Sequence, residues 1–489
     1  TIEDRSVEES IIFTQQPGKP VIIKGNSSLF KASNTYSIAN ANNSLFLIAP
    51  LTGGDISVSG LNIDGNNRVL GYTVDTHSIH GILVYKSGEL PLSVDISSNT
   101  ITDTPSSSIV VYDPQKGSIK SNECRSSNFH GVFIKRGKEV VISNNTFEGI
   151  GVAGGVTYGG IGMLADATQK IILEDNFVCE FSDTGTKTEG CSDVVYTNNI
   201  VHDCGKDGIK VQGKSDQPSE PQRAVICGNI VKDLHPTRSD GSTLIQVSDM
   251  KFVTVSNNVL SNDFATTGSN RYGIRTYNHS SGAVGQAGFV SVTGNNITSC
   301  ASDSSGFESI NVIGNAGGGH THTINNNMCY SSIRGGDGFG DCTISGNILG
   351  ARSSLSTSLL GSGISSGGKN NVITGNSIHG FERAIVVSVL SPRDLDLSAT
   401  ITGNSITGIT YRHFDVGAST EASTTIAIAI TGNSCSDFTQ SEDSLIRLRI
   451  PDIDWMSCVV SDNSIAGYYR TIIEFYQRTT ELLGKFSIS

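Results

Sequence analysis

The sequence predicts an all-β protein built of stacked parallel coils, on three observations: a composition that disfavours helices, one asparagine-centred motif written repeatedly, and strand-like alternation on both sides of it. Of 489 residues, 55 are glycine, 4 methionine and 1 tryptophan, while Ser, Thr and Asn are abundant. Such a chain favours strands joined by many turns over long helices. With 37% hydrophobic and 16% charged residues it can still bury a large core.

Aligned on its asparagine, the motif gives Asn99, Asn122, Asn145, Asn176, Asn198, Asn229, Asn257, Asn295, Asn327, Asn347, Asn376, Asn404, Asn433 and Asn463. The copies stand 20 to 38 residues apart, 28 on average, and a period of that size indicates a solenoid. Helical repeats would need a 3.6-residue periodicity. Here apolar residues alternate around the Asn instead, as in VISNNTFEGI and VTVSNNVLSN, so strands stack. A second alternating run follows each copy, often opened by glycine: HGILVY, HGVFIK, GGIGML, DGIKVQ, YGIRTY. A turn plus strands per coil describes a parallel β-helix. At the bend the Asn is expected to adopt left-handed backbone angles, its amide bonding to its equivalents one coil away. At ~4.8 Å per coil, about fourteen coils extend roughly 65 Å.

The remaining elements follow in chain order. Residues 1–55 are expected to form an N-terminal cap and first coil, with SVEESIIF as a short amphipathic helix covering it. Residues 56–470 are expected to form the β-helix and 471–489 a capping segment, because open coil ends need cover. No Pro-rich or charged linker divides the chain, which reads as one domain. None of the ten cysteines forms a CxxC pair, and Cys124, Cys329 and Cys435 each sit two residues after a motif Asn. Free buried thiols are expected, not disulfides or a metal finger. A net charge of −12 gives phosphate neutralisation no general basis, so no nucleic acid partner is expected. No apolar run approaches the ~20 residues needed to insert into a membrane, and TIEDRSVEES has no signal-like region.

The Asn-marked coils, hydrophobe-x-GN-x-I and GI-x-V, resemble the right-handed parallel β-helix superfamily of pectate-lyase-like enzymes and bacteriophage tailspikes over nearly the whole chain. The polar, acidic composition without pectate-lyase signatures is most similar to the receptor-binding body of a tailspike. The resemblance implies a single right-handed β-helix of about 14 rungs and a homotrimer. It also implies an extracellular place in a virion tail, or secretion as the alternative. It implies binding and depolymerisation of bacterial surface polysaccharide, O-antigen or capsule, with no cofactor.

Long inter-Asn gaps mark loops that can wall a groove. Those between Asn198 and Asn327 carry GKSDQPSEPQ, HPTRSDGS and SNDFATTGSNRYG. There the strand after each Asn should point Ile209, Val211, Ile245, Val247, Ile274 and Thr276 inward. Lys210, Gln212, Gln246, Ser248, Arg275, Tyr277 and Asn311 should then line a solvent-facing, sugar-binding stack. Glycoside hydrolysis needs two carboxyl groups. Asp207, Asp240 and Glu308 border this face as catalytic candidates, with Asp240 and Glu308 about 10 Å apart and suited to inversion; Asp249, Asp203 and Glu180 stand in reserve. β-Elimination or C5-epimerisation of a uronic-acid polymer is the alternative, served by Lys210, Arg275, Tyr277 and His202. VYDPQ at 111–115, with His130 and Lys135 on the next coil, resembles the Tyr-x-x-Asp-Pro-His region of alginate epimerases; here Tyr112 abuts Asp113 and Gln115 replaces the histidine. His320 and His322 in HTH share a strand face as metal ligands would, but no third ligand is apparent, and no metal site is assigned. Calcium held by groove oxygens needs no recognisable loop. A non-catalytic glycan-binding adhesin is the reading from a different class.

Overall fold

The structure is a computed structural model that describes residues 5–7, 11–14, 20–26, 29–32, 44–49, 54–66, 79–85, 91–150, 160–213, 222–234, 243–262, 271–277, 288–300, 307–313, 321–337, 340–350, 361–389, 397–418, 425–436, 444–450, 455–466, 471–477 and 484–488. Every regular element among them is a strand. The chain falls into two compact units, Thr1–Arg238 with Leu244–Gln246, and Ser239–Thr243 with Val247–Ser489.

Both units are wound by the same three-step coil. Thr100–Thr102 follows a motif Asn and lies in a first sheet, Ile109–Tyr112 in a second, and Lys116–Lys120, leading to the next Asn, in a third. Glu123–Ser127, Val132–Lys135 and Glu139–Ser143 repeat the cycle and pair in parallel with their predecessors. In the first unit the three sheets run from Arg5–Val7, Ile11–Thr14 and Val21–Lys24 to Ile230–Lys232, Asp207–Gln212 and Arg223–Cys227. In the second they run from Val259–Asn262, Arg271–Tyr277 and Phe252–Ser256 to Ser464–Ile465, Thr471–Gln477 and Gly484–Ile488. The strand Thr243–Ser248 is divided between the units.

The expected all-β parallel coil is therefore present, and it begins earlier than the asparagines do. Three coils precede Asn99, and strands occupy Arg5–Val7 and Ile11–Thr14 where a helix was expected. The motif misses them because Asn26 is exposed and Leu61 is buried at the corner; the Leu61 N–H still donates to Asn99 Oδ1 at 3.0 Å.

Alternation fills the interior in columns. Ile109, Val132, Met163, Thr186 and Ile209 stand in register in the second sheet of the first unit, and Ile96, Ile119, Ile142, Leu173, Tyr196 and Ile226 in the third; all are buried. In-register burial on one face fixes the pairing, because a one-residue slip would turn each column outward. Cys124, Cys329 and Cys435 belong to such columns as free thiols, with burial pushing the Cys124 and Cys435 thiols up to about 12.

The corners explain the motif. Asn145 Nδ2 donates to Asn176 Oδ1 at 2.9 Å and to the Ile119 carbonyl at 2.9 Å, while its own Oδ1 accepts the amide and backbone N–H of Asn122. The ladder runs through Asn99, Asn122, Asn145, Asn176, Asn199 and Asn229 in the first unit. In the second it runs through Asn258, Asn295, Asn327, Asn347, Asn376, Asn404, Asn433 and Asn463. Two expectations are corrected here. In the Asn-Asn copies the ladder uses Asn199 and Asn258, not Asn198 and Asn257. The left-handed residue is the one before the ladder Asn: Ser121, Asn144, Asp175, Asn198 and Asn257 have φ of 53° to 55°, and Gly346, Gly375 and Gly403 of 64° to 65°. Glycine opens the second-sheet strand for a different reason: a Cβ on Gly162 or Gly208 would lie 2.2 Å from Val178 Cγ1 or Val231 Cγ1.

Candidate functional site

Outward residues of the second sheet are where the coils cease to be alike. In the first unit, Tyr112, Lys135, Asp166, Glu189 and Gln212 stand in register on successive strands, and Val110, Phe133, Leu164, Lys187 and Lys210 form the column beside them. Edge-on ring packing joins Tyr85 to Tyr112 at 5.7 Å and Tyr112 to Phe133 at 6.1 Å. Tyr85 is exposed and Tyr112 half-buried, so the rings present an apolar plate with polar tips, the surface that sugar rings stack on.

Beneath the plate lies His130, buried between Phe129 at 3.7 Å and Phe133 at 5.7 Å, its Nδ1 accepting the Ile161 N–H. Burial, then the nearby His80, pushes the His130 imidazole down to about 3. Burial takes His80 to about 4, so both rings back the face in the neutral state. Burial also raises the Tyr112 phenol above its ordinary value, opposed by Arg136.

Past the aromatics the face is charged, and its cations are matched. Arg136 grips both oxygens of Asp113 at 2.7 and 2.9 Å, and Lys135 lies 3.8 Å from Asp166. Lys187 is 2.6 Å from Glu189, and Lys210 is 3.7 Å from Asp207. Asp166 and Glu189 are direct register partners. One strand spacing of about 4.8 Å separates their backbones, and their side chains are 34% and 46% exposed. Two accessible carboxylates, each with its own lysine, therefore project side by side next to an aromatic plate. The sequence reading missed both acids. The signal was available: Tyr85, Lys135, Asp166, Glu189 and Gln212 each fall four residues after the glycine opening the second-sheet strand, Gly81, Gly131, Gly162, Gly185 and Gly208.

In the second unit the corresponding face carries Arg275, Asn311, Arg334, Ser365, Val386, Asp415 and Arg447 in register. Arg275 is stacked by two rings, 4.6 Å from Tyr272 and 4.4 Å from Tyr277. The Asn311 amide donates to Glu308 Oε2. Asp415, buried, holds Arg449 at 2.9 Å.

The expected inward residues Ile209, Val211, Ile245, Val247, Ile274 and Thr276 are all buried. The expected outward set is only partly exposed. Lys210, Gln212, Arg275 and Tyr277 are half-buried, whereas Gln246 and Ser248 are buried and Asn311 is 1% exposed. Asp207 was expected to border an open face and is instead 1% exposed. It opens its strand at the tight corner between sheets, where Lys210 folds over it. Glu308 and Asn311 are brought together, as are Asp207 and Lys210; Asp240 lies outside the described residues. Of the reserves, Asp203 bonds His202 Nδ1 at 2.6 Å, and Glu180, Asp203 and Asp249 all occupy left-handed turn positions. In the epimerase-like stretch Lys135 does stand one coil on as the register partner of Tyr112, while Arg136 engages Asp113 and His130 is enclosed. His322 points inward between Val290 and Cys342, and His320 lies outside the described residues. Among the described residues no three of His, Cys, Asp and Glu group as metal ligands.

Residues 80–260 match the family model described as a right handed beta helix region, which gives these coils their expected hand. Among solved structures, the chain is similar to the N-terminal fragment of bacteriophage phi29 gene product 12, at 12% identity over 95% of this chain and 87% of that one, TM-score 0.44. It is similar to DFA-IIIase from Arthrobacter chlorophenolicus A6, at 14% identity over 65% and 82%, TM-score 0.40. It is similar also to the Dettilon tailspike protein, at 16% identity over 73% and 61%, TM-score 0.40. No curated protein sequence matches the chain.

Proposed function

We propose that the protein is an endo-glycosidase that binds polysaccharide along the outer face of the second sheet in the first unit. The observation that carries this reading is the in-register pair Asp166 and Glu189 beside the Tyr85, Tyr112 and Phe133 plate. Backbones one strand spacing apart let the two carboxyl groups reach the separation of about 5 Å that suits a retaining reaction, which replaces the inverting geometry expected of Asp240 and Glu308. Glu189, held by Lys187, attacks the anomeric carbon while Asp166 protonates the leaving oxygen. Water then attacks the glycosyl ester, giving its proton to Asp166 and releasing Glu189. Asp207 orients Lys210 in this reading and does not meet the substrate.

The resemblance to tailspike bodies directs this activity at bacterial O-antigen or capsule, in a homotrimer at a virion tail. The experiment incubates purified protein with a panel of such polysaccharides. New reducing ends without near-ultraviolet absorbance are expected. Unsaturated uronate products would assign a lyase instead, and retained binding with no cleavage would leave an adhesin. Light scattering that gives the mass of a monomer would remove the trimer.

A further inference from the structure

The second unit holds a cation whose environment differs from those just described. Arg275 stacks between Tyr272 and Tyr277, and its Nε is buried without a hydrogen-bond partner. No described carboxylate pairs with it, although Glu308 lies on the neighbouring strand as the register partner of Tyr272. Asn311, the register partner of Arg275, is 1% exposed and donates its amide to Glu308. The Arg275 side chain keeps partial exposure.

A guanidinium stacked on two rings, with no partner among the described carboxylates, is prepared to receive an anion. Its outer nitrogens form a planar two-point donor that fits a carboxylate or a phosphate. The stack removes much of the side-chain entropy that binding would otherwise cost. Leaving a cation unmatched opposes stability, whereas Lys135, Arg136, Lys187 and Lys210 on the first unit's face each meet a carboxylate, and such a cost is retained where a ligand offsets it. Tyr277 and Tyr272 also offer ring faces and phenol tips beside that point.

We propose that Arg275, Tyr272 and Tyr277 form a binding site for an anionic group on a glycan, so that the substrate polysaccharide is acidic. The proposal rests on the polysaccharide reading above but not on cleavage, and it uses a different set of residues. The test is calorimetric titration of three probes: oligogalacturonate, its full methyl ester as a neutral twin, and a mannose-6-phosphate oligosaccharide. At least one anionic probe should bind while the methyl ester does not. Arg275→Gln should weaken that binding about tenfold or more, and Arg275→Lys, which keeps the charge but loses the planar fork, by an intermediate factor. Binding to oligogalacturonate alone identifies a uronate-type carboxylate, and binding to the phosphorylated probe alone a phosphate substituent. Circular dichroism melts check that each variant is folded, and Tyr277→Phe keeps the stack should Arg275→Gln fail to fold. Equal affinity for the methyl ester, unchanged affinity in Arg275→Gln, or no anionic probe binding at about 1 mM each overturns the proposal. Anion binding without cleavage of any polysaccharide would sustain it while removing the hydrolase.

Discussion

The asparagine corner and the outer face of the second sheet lie on the same coils and obey opposite rules. At the corner, residue type is held constant from coil to coil, the amides are almost wholly buried, and each amide is bonded to the next. On the outer face the residue changes at each step, from Tyr112 to Lys135 to Asp166 to Glu189 to Gln212, and the side chains stay partly exposed. Repetition is what stability asks of a coil whose neighbours are copies of itself. Variation is what recognition of a specific ligand asks. Changes at the corner should therefore cost folding and spare chemistry, and changes on the face should do the reverse.

The largest expected effect breaks the face alone. Asp166→Asn and Glu189→Gln should each lower kcat about a hundredfold or more, read as reducing-end release, with the thermal midpoint within a few degrees of wild type. Next is the layer beneath the face. His80 titrates at about 4 in the folded chain, through burial, against an ordinary 6.5. Its lowered value means that the unfolded chain takes up a proton the folded chain refuses. The stabilisation is thus whole above pH 6.5 and is lost as pH falls toward 4, by roughly 3 kcal/mol. His80→Gln should reduce the slope of the denaturation free energy across that interval, leaving the share of His130, which burial holds at about 3, whereas the ladder amides, which do not titrate, should contribute nothing to it.

Asn145→Ala comes third. It removes an amide donating to Asn176 and Ile119 and accepting from Asn122, and stranding those buried partners should cost about 2 to 3 kcal/mol in urea unfolding. The smallest effect belongs to the third sheet, where Arg223 meets Asp193 at 2.9 Å on an exposed surface. Arg223→Ala should change stability by less than about 1 kcal/mol, so a larger loss there would blur the contrast between corner and face.

The corner was legible in the sequence because its chemistry recurs at a fixed phase. Where two asparagines adjoin, as at 198–199 and 257–258, the phase was ambiguous by one residue, and the burial and ladder bonds of Asn199 and Asn258 resolve it. The first three coils were not legible because Asn26 is exposed where later coils bury their Asn, and Leu61 carries no side-chain amide. The face was half legible. Inward positions followed from alternation, but which outward residues stay accessible depends on what folds over them, as Lys210 does over Asp207 and as Glu308 engages Asn311. Asp166 and Glu189 are inconspicuous in the sequence because they lie away from the long inter-Asn loops, and only their shared offset from Gly162 and Gly185 places them in register on adjacent strands.

The division between corner and face is tested most directly by measuring urea unfolding and reducing-end release on the same preparations of Asn145→Ala and Glu189→Gln. The account predicts that the first unfolds at lower urea yet turns over at the wild-type rate per folded molecule, and that the second unfolds like wild type and releases almost no ends. Wild-type turnover in Glu189→Gln, or unchanged unfolding in Asn145→Ala, would contradict it.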